Sequence, residues 1–284
     1  MPQDPRSRLL AGLPVTERRL QLNGIATAIL EAGDGPSVVL LHGPGGYALN
    51  WLRVIPDLVT SHRVIAPDLP GHGASDPIEG PHDVKRMLDW LGALIECTSP
   101  AAPALVGQTL GGGIATRLTA ERGDALSRLV LVDTLGLVPF QPEPDFGHAL
   151  TEHVARPTEA THDRLWSLCA FDLDALRERL GPRWEWIRAY NLEPARTPAL
   201  LATQQALMEQ FGMPAIPRAD LRRIEVPTTL IWGRHDRATP LPIAQAASAD
   251  LGWPLRVIEN AADDPPLEQP EAFLKALRSA LGSN

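Results

Sequence analysis

Cysteine is almost missing from this chain. Its 284 residues include only two, Cys97 and Cys169, which are far apart and lack the spacing of metal ligands or of a disulfide framework. They are read as buried thiols in a reducing compartment. Runs of lysine or arginine are also missing, and the formal net charge is -8. Nucleic acid and anionic membrane are therefore not expected as partners. No apolar stretch is long enough to span a bilayer. The first residues, Met1–Pro2–Gln3–Asp4–Pro5, lack the basic segment and apolar run of a signal peptide, so a cytoplasmic location is the expectation. There is no internal repeat and no low-complexity tract. The length accommodates one large core plus an inserted subdomain.

What the chain does contain is an alternation of short apolar runs with helical periodicity. Arg19 to Ala32 reads as two strands around Asn23–Gly24, a dipeptide suited to a tight hairpin. Ser37–His42, His62–Pro67, Ala102–Gly107 and Leu129–Asp133 are continuous apolar runs, the pattern of strands buried on both faces. Between them lie helical segments, one carrying Trp51, Val54, Ile55 and Leu58, a second over Val84–Ile95 and a third over Gly111–Ala120. Strands resume at Thr228–Trp232 and Pro254–Ile258, with helices at about Pro242–Asp250 and Pro270–Leu281. The alternation predicts an α/β fold, with a mostly parallel central sheet and helices on both faces.

From Gln141 to about Ile224 the signals are helical only, broken by Pro157, Gly181–Pro182, Pro194, Pro198 and Pro214. Trp166, Phe171, Trp184, Trp186, Tyr190 and Phe211 concentrate there. This stretch is read as an inserted helical cap over residues 138–224, with residues 1–137 and 225–284 forming the core. Trp184 and Trp186 are two residues apart, so one helix face does not hold both indoles.

The stretch Gly107–Gln108–Thr109–Leu110–Gly111–Gly112 joins an apolar strand to a small-residue helix. That is the strand–turn–helix context of the G-x-S-x-G nucleophile elbow. Four more signposts accompany it in order. They are His42–Gly43 after a strand, Asp68–Leu69–Pro70–Gly71–His72–Gly73, Gly233–Arg234–His235–Asp236 after a strand, and Leu267–Glu268–Gln269–Pro270–Glu271–Ala272–Phe273 near the end. Together they resemble the α/β-hydrolase superfamily over nearly the whole chain. The resemblance is to a capped member of an atypical branch.

In that family a serine, a histidine and an acid perform acyl transfer, aided by two backbone N–H groups. The resemblance maps the acid onto Asp236. It maps the nucleophile onto Thr109, whose β-branch restricts the side chain, so that Thr109 either attacks or only fills the turn. The histidine position falls on Asp263, and an ordinary carboxylate is a poor base for an alcohol at neutral pH. The first oxyanion donor falls on Pro44, which has no N–H. Gly45 replaces it only if the loop is shifted, and the second donor, the N–H of Leu110, is kept. The triad is therefore degenerate.

Three functions stay open. In the first, Asp236 and Asp263 meet at a pocket floor, share a proton and act as general acid and base on a small, largely apolar metabolite. The reaction is then an isomerisation, cyclisation, elimination or hydration, with Thr109 and the Leu110 N–H polarising the substrate. Arg234 or Arg237 neutralising the pair would instead make it a structural cluster. In the second, Thr109 or an activated water hydrolyses an ester, lactone or C–C bond, with a base from His148, His153 or His162. In the third, the pocket binds a ligand without chemistry. Gln108, Phe146, Trp166 and Trp184 are the expected pocket residues, with an apolar cavity under the cap. His42 and His72 are read as loop-holding. No cofactor and no metal site are expected, and the partner is a small molecule.

Overall fold

The computed structural model describes residues 4–80, 82–193 and 197–282. Met1–Gln3 and the expected helix breaker Pro194 lie outside them. A short helix, α1 (Pro5–Leu10), precedes the hairpin β1 (Thr16–Leu22) and β2 (Ile25–Ala32). Asn23 and Gly24 both have positive φ, 49° and 81°, as the tight turn requires. There follow β3 (Ser37–Leu41), α2 (Ile55–Leu58), β4 (Arg63–Pro67), α3 (Val84–Thr98), β5 (Ala104–Gln108), α4 (Leu110–Arg122) and β6 (Arg128–Val132). Six helices come next: α5 (Pro144–Ala155), α6 (Glu159–Cys169), α7 (Leu173–Leu180), α8 (Arg183–Leu192), α9 (Pro198–Leu207) and α10 (Arg218–Leu221). The chain closes with β7 (Thr228–Gly233), α11 (Leu241–Leu251), β8 (Leu255–Ile258), α12 (Pro265–Glu268) and α13 (Pro270–Leu281).

The sheet has eight strands in the order β1-β2-β4-β3-β5-β6-β7-β8. The β1–β2 and β2–β4 pairs are antiparallel and the rest are parallel. Successive residues of the central strands serve opposite faces. Val39, Leu41, Leu105, Leu129 and Leu131 pack with Trp90, Ile114 and Trp232 on one side. Val38, Leu40, Val106, Val130 and Val132 pack with Trp51, Phe273 and Leu277 on the other. Continuous apolar runs are thus what a strand covered on both faces needs, and each fully buried aliphatic side chain contributes about 1.5–3 kcal/mol. Because β3, β5, β6, β7 and β8 are parallel, the loops carrying His42, Thr109, Asp133, Asp236 and Asp263 leave the same edge of the sheet.

Three sequence expectations need revision. The single helix through Trp51 and Leu58 is two pieces, a 3₁₀ turn at Ala48–Trp51 and α2. Pro56 lies in the first turn of α2, where its missing N–H is tolerated although it is not inside a continuous helix. Cys97 is exposed and Cys169 only half-buried, because Cys97 lies on the outer side of α3, whose core face is Met87, Leu88, Leu91, Leu94 and Ile95. The end of the helical insertion also differs from its start. Phe211 is part of the sheet core, Arg117 of α4 donates to the Phe211 carbonyl at 3.1 Å, and Ile216 N–H donates to Gly136 at 2.7 Å. From about residue 208 the chain packs against α4.

Helix α1 was not apparent in the sequence, yet it joins the two halves of the molecule. Arg6 pairs with the fully buried Asp68 at 2.9 Å and with Glu17 at 2.6 Å, and donates to the Tyr190 hydroxyl of α8 at 2.9 Å. Asp68 in turn accepts from the Ala48 N–H at 2.6 Å and the Ala74 N–H at 2.8 Å. Removing the cation leaves a buried carboxylate uncompensated, at a cost of about 3–5 kcal/mol. Arg6→Met is expected to lower the unfolding free energy by about 3 kcal/mol in urea titrations; a loss below about 1 kcal/mol would mean that water replaces the cation.

Candidate active site

Thr109 stands at the junction of β5 and α4 with φ 44° and ψ −107°. A β-branched residue in that region carries backbone strain of about 1–3 kcal/mol, so the surroundings must hold it. Thr109 N–H donates to Val132 O at 2.9 Å, and Thr109 O accepts from Gly113 and Leu135, each at 3.1 Å. Close backbone approach completes the turn. A Cβ on Gly111 would lie 2.6 Å from the carbonyl oxygens of both His42 and Leu41. Neither is a flexible side chain, so Gly111→Ala is expected to lose about 3 kcal/mol or more in thermal or urea unfolding; an unchanged midpoint would show that the loop after β3 yields.

The Thr109 side chain is buried, with 7% exposure. Its Oγ1 has no hydrogen-bond partner and faces the loop after β3, since a Cβ on Gly43 would lie 2.2 Å from it. His42 shapes that loop. Its Nε2 accepts from the Leu69 N–H at 2.9 Å, so its Nδ1 carries the hydrogen and donates to Gly43 O at 2.7 Å. Burial pushes its pKa down to about 4, and His72, also buried, falls to about 3. Both are neutral loop holders. Pro44 and Gly45 are exposed at a turn closed by Gly46 N–H to Gly43 O at 3.2 Å. The N–H of Leu110 is the first of α4, a donor with no partner inside its helix.

Asp236 and Asp263 lie among other carboxyl groups. Asp236 is buried, and its Oδ1 accepts from Ala238 N–H at 2.7 Å and Thr239 N–H at 2.9 Å, while its Oδ2 accepts from the Thr239 hydroxyl. Asp133, at the end of β6, is fully buried. Its Oδ1 accepts from Gly233 N–H at 2.8 Å, and its carboxyl shares a hydrogen bond with Asp236. Burial raises Asp236 to about 6, against the pull of its donors. Burial and then the neighbouring Asp236 charge push Asp133 and Asp263 well above the ordinary carboxylate range. Asp264 and Glu268, also buried, rise to about 7 through desolvation. Asp236 has donors on both oxygens and Asp133 only on one, so the shared proton sits on Asp133.

Gln108 belongs to this cluster and not to a pocket wall. Its Nε2 donates to Asp263 O at 2.9 Å and to Asp264 Oδ1 at 3.2 Å. Glu268 accepts from Ala262 N–H at 2.7 Å and from Phe171 N–H at 2.6 Å, and Asp263 N–H donates to Cys169 O at 3.2 Å. The end of α6 therefore docks on the loop after β8, with the neutral Cys169 thiol hydrogen-bonded to the Asp263 carboxyl. Arg234 does not neutralise the pair, because it turns outward to Glu259.

The aromatic residues expected at the pocket divide. Phe146 packs on Ala238, two residues beyond Asp236. Trp166 and Trp184 instead meet each other edge to face at 5.3 Å and surround His162, packing α6 on α8. Trp184 is buried while Trp186 lies under Arg8, so the two indoles part as their spacing requires. The histidines proposed as a base are committed elsewhere. His162 donates from Nδ1 to Asp163 at 3.1 Å and accepts from Asn191 at 3.0 Å, and burial holds its pKa near 4. His153 bonds Thr161 at 3.1 Å, and His148 is exposed. Among the described residues, no group of three His, Cys, Asp or Glu is placed to hold a metal ion, and no helix is long and apolar enough to cross a membrane.

Residues 38–276 match the model of the alpha/beta hydrolase family, and the chain belongs to that family. It is 28% identical over 279 residues to a 2-hydroxy-6-oxo-6-(2'-aminophenyl)hexa-2,4-dienoic acid hydrolase of Metapseudomonas resinovorans, covering 93% of this chain and 90% of the relative. It is 30% identical to a 2-hydroxymuconate semialdehyde hydrolase of Pseudomonas sp., covering 80% of each. The structure of a 2-hydroxy-6-oxo-6-phenylhexa-2,4-dienoate hydrolase from Rhodococcus superimposes with a TM-score of 0.81 at 27% identity, covering 95% of this chain and 99% of that one. Relatives of this chain are thus named as hydrolases.

Proposed function

We propose that this chain is an enzyme that moves protons on a small conjugated oxo compound without a covalent intermediate. The observation that carries this reading is the group of buried carboxyls around Asp236 and Asp263, where an imidazole would be needed for acyl transfer. Asp236 is held ionised by its donors, and its charge keeps a proton on Asp263. The half-buried Asp263 is then the general acid. Asp264, with a pKa of about 7, is the matching base. Asp263 gives its proton to the substrate, Asp264 removes one from it, and the proton returns between the two after product leaves. The Thr109 hydroxyl and the Leu110 N–H polarise the substrate oxygen.

The names of the relatives support the substrate class, since both describe a conjugated skeleton with hydroxyl and oxo groups. The test is incubation of a 2-hydroxy-6-oxohexa-2,4-dienoate in deuterated water, followed by NMR. Deuterium entering the carbon skeleton faster than in the enzyme-free control, with no cleavage products, is expected. Cleavage without exchange would reject the reading.

One observation favours a second reading, hydrolysis by Thr109: the strained elbow is kept and Thr109 Oγ1 has no partner at the loop after β3. Turnover of short-chain chromogenic esters by the parent and Thr109→Ala decides it. Hydrolysis that vanishes in the variant makes Thr109 the nucleophile, and equal rates remove it from the chemistry.

A further inference from the structure

We propose that Glu268 is a latch that fastens the junction between α6 and α7 over the Asp263 loop, and that the way into the site opens when this junction lifts. The latch governs how the site is reached and is independent of which chemistry the site performs. Glu268 lies in the last of the five signposts, and neither chemistry uses it. It is 2% exposed, at the end of α12. Its two oxygens serve different parts of the molecule. Oε1 accepts from Ala262 N–H at 2.7 Å, beside Asp263 in the loop after β8. Oε2 accepts from Phe171 N–H at 2.6 Å, between α6 and α7. A backbone bond joins the same two segments, from Asp263 N–H to Cys169 O at 3.2 Å.

The junction is held by these bonds more than by burial. Of residues 169–172 only Ala170 is buried. Asp172 is exposed, and Phe171 keeps 45% exposure although it is large and apolar. Its ring rests on the exposed His235, with centroids 4.5 Å apart. A segment with few buried apolar contacts is where a fold opens locally at least cost. There is also room on its outer side. A cleft of about 530 Å³, lined in part by Ser167, Phe171, Leu173 and Arg177, runs between α6 and α7. Arg177 crosses to Asp163 of α6 at 2.7 Å, so the two helix ends lift together. Asp133, Asp236 and Asp264 are buried, whereas Asp263 and the Cys169 that covers it are half-buried. The site therefore comes nearest to solvent at this junction.

A carboxylate suits a latch between two N–H groups because it only accepts. Glutamine keeps the shape but turns an NH2 toward one of the two N–H groups, so one bond is lost and two donors face each other. Proline at position 171 removes the N–H from the other side. The Ala170 backbone is already extended, with φ −98° and ψ 145°, as a residue before proline must be.

The two cysteines report the opening, since Cys97 is exposed on α3 while Cys169 lies under the junction. The experiment is labelling of the full chain with N-ethylmaleimide at about pH 8, above the value of about 7 for Glu268, with each cysteine resolved by peptide mass spectrometry. In the parent, Cys169 is expected to label at least about 100-fold more slowly than Cys97. Glu268→Gln is expected to speed Cys169 labelling about 10-fold or more, the effect of losing one hydrogen bond to a charged group, and to leave Cys97 unchanged. Phe171→Pro is expected to do the same, and it carries the test if Glu268→Gln fails to fold. Phe171→Ala, which keeps the N–H, is expected to do less. Gln269→Leu is the control within the same signpost. Gln269 donates to Asn260 O at 2.9 Å on the core side, so its loss is expected to change Cys169 labelling by no more than about twofold. Equal labelling of the two cysteines in the parent, or an unchanged Cys169 rate in folded Glu268→Gln or Phe171→Pro, would overturn the latch. So would Phe171→Ala as fast as Phe171→Pro, or Gln269→Leu as fast as Glu268→Gln. Labelling needs no substrate, so the latch and the proton-transfer reading stand or fall separately.

Discussion

Asp263→Asn is expected to reduce deuterium exchange about 10²–10⁴-fold while the protein stays folded. That range is what a positioned acid or base contributes to a proton transfer. Asparagine keeps the shape of the side chain and, placed among carboxyls, still offers an oxygen to the Cys169 thiol. It has no proton of suitable acidity to give. The same change removes a group that is costly to bury in ionised form, so the variant is also expected to unfold at a higher temperature than the parent at about pH 8. Lost exchange with equal or greater stability separates a chemical role from a structural one. Exchange within about threefold of the parent would end the assignment of Asp263 as the acid.

The second large effect is on stability against pH, and its sign is opposite to that of most proteins rich in ion pairs. Folding raises Asp236 to about 6, and Asp264 and Glu268 to about 7. Between their ordinary values near 4 and these raised values, the folded chain binds more protons than the unfolded one. Their contribution is therefore complete below about pH 4 and is lost as pH rises through 6 and 7. A tenfold change in proton affinity is worth about 1.4 kcal/mol, so the cluster costs the folded state several kcal/mol by about pH 8. Carboxylates held low by partners, such as Asp163 and Glu31, act in the other direction on the acid side, and they are only partly buried. Urea midpoints are expected to peak near about pH 5 and fall toward about pH 8. Asp264→Asn, which keeps the acceptor for Gln108, flattens the fall. A midpoint that climbs steadily to about pH 8 would show that the cluster does not hold its protons.

Much of the architecture was legible in the chain. The runs Ser37–Leu41 and Leu129–Val132 lack polar alternation because both of their faces are covered, and Asn23–Gly24 supplies the two positive φ values of its turn. The turn at Thr109 and the strand-end loop of Asp236 were equally plain, because both have local signatures. Asp133, Asp264 and Glu268 were not singled out as members of the site. For Asp133 the signal was present, a carboxylate closing an apolar strand whose parallel neighbours end in functional loops. Glu268 and Asp264 read as parts of a turn and a helix start.

The sequence by itself determined the α/β pattern and the order of the signposts, since each depends on residues close together in the chain. Tertiary structure alone decided what surrounds Asp236 and Asp263. Five carboxyls scattered between residues 133 and 268 come together only when parallel strands end side by side. Arg6 reaches Asp68 and Tyr190 only when α1 lies on α8. Whether Arg234 faced the cluster or Glu259, and whether His162 faced the site or Asn191, depended on side-chain direction. That direction follows from packing, and neither periodicity nor spacing in the chain carries it.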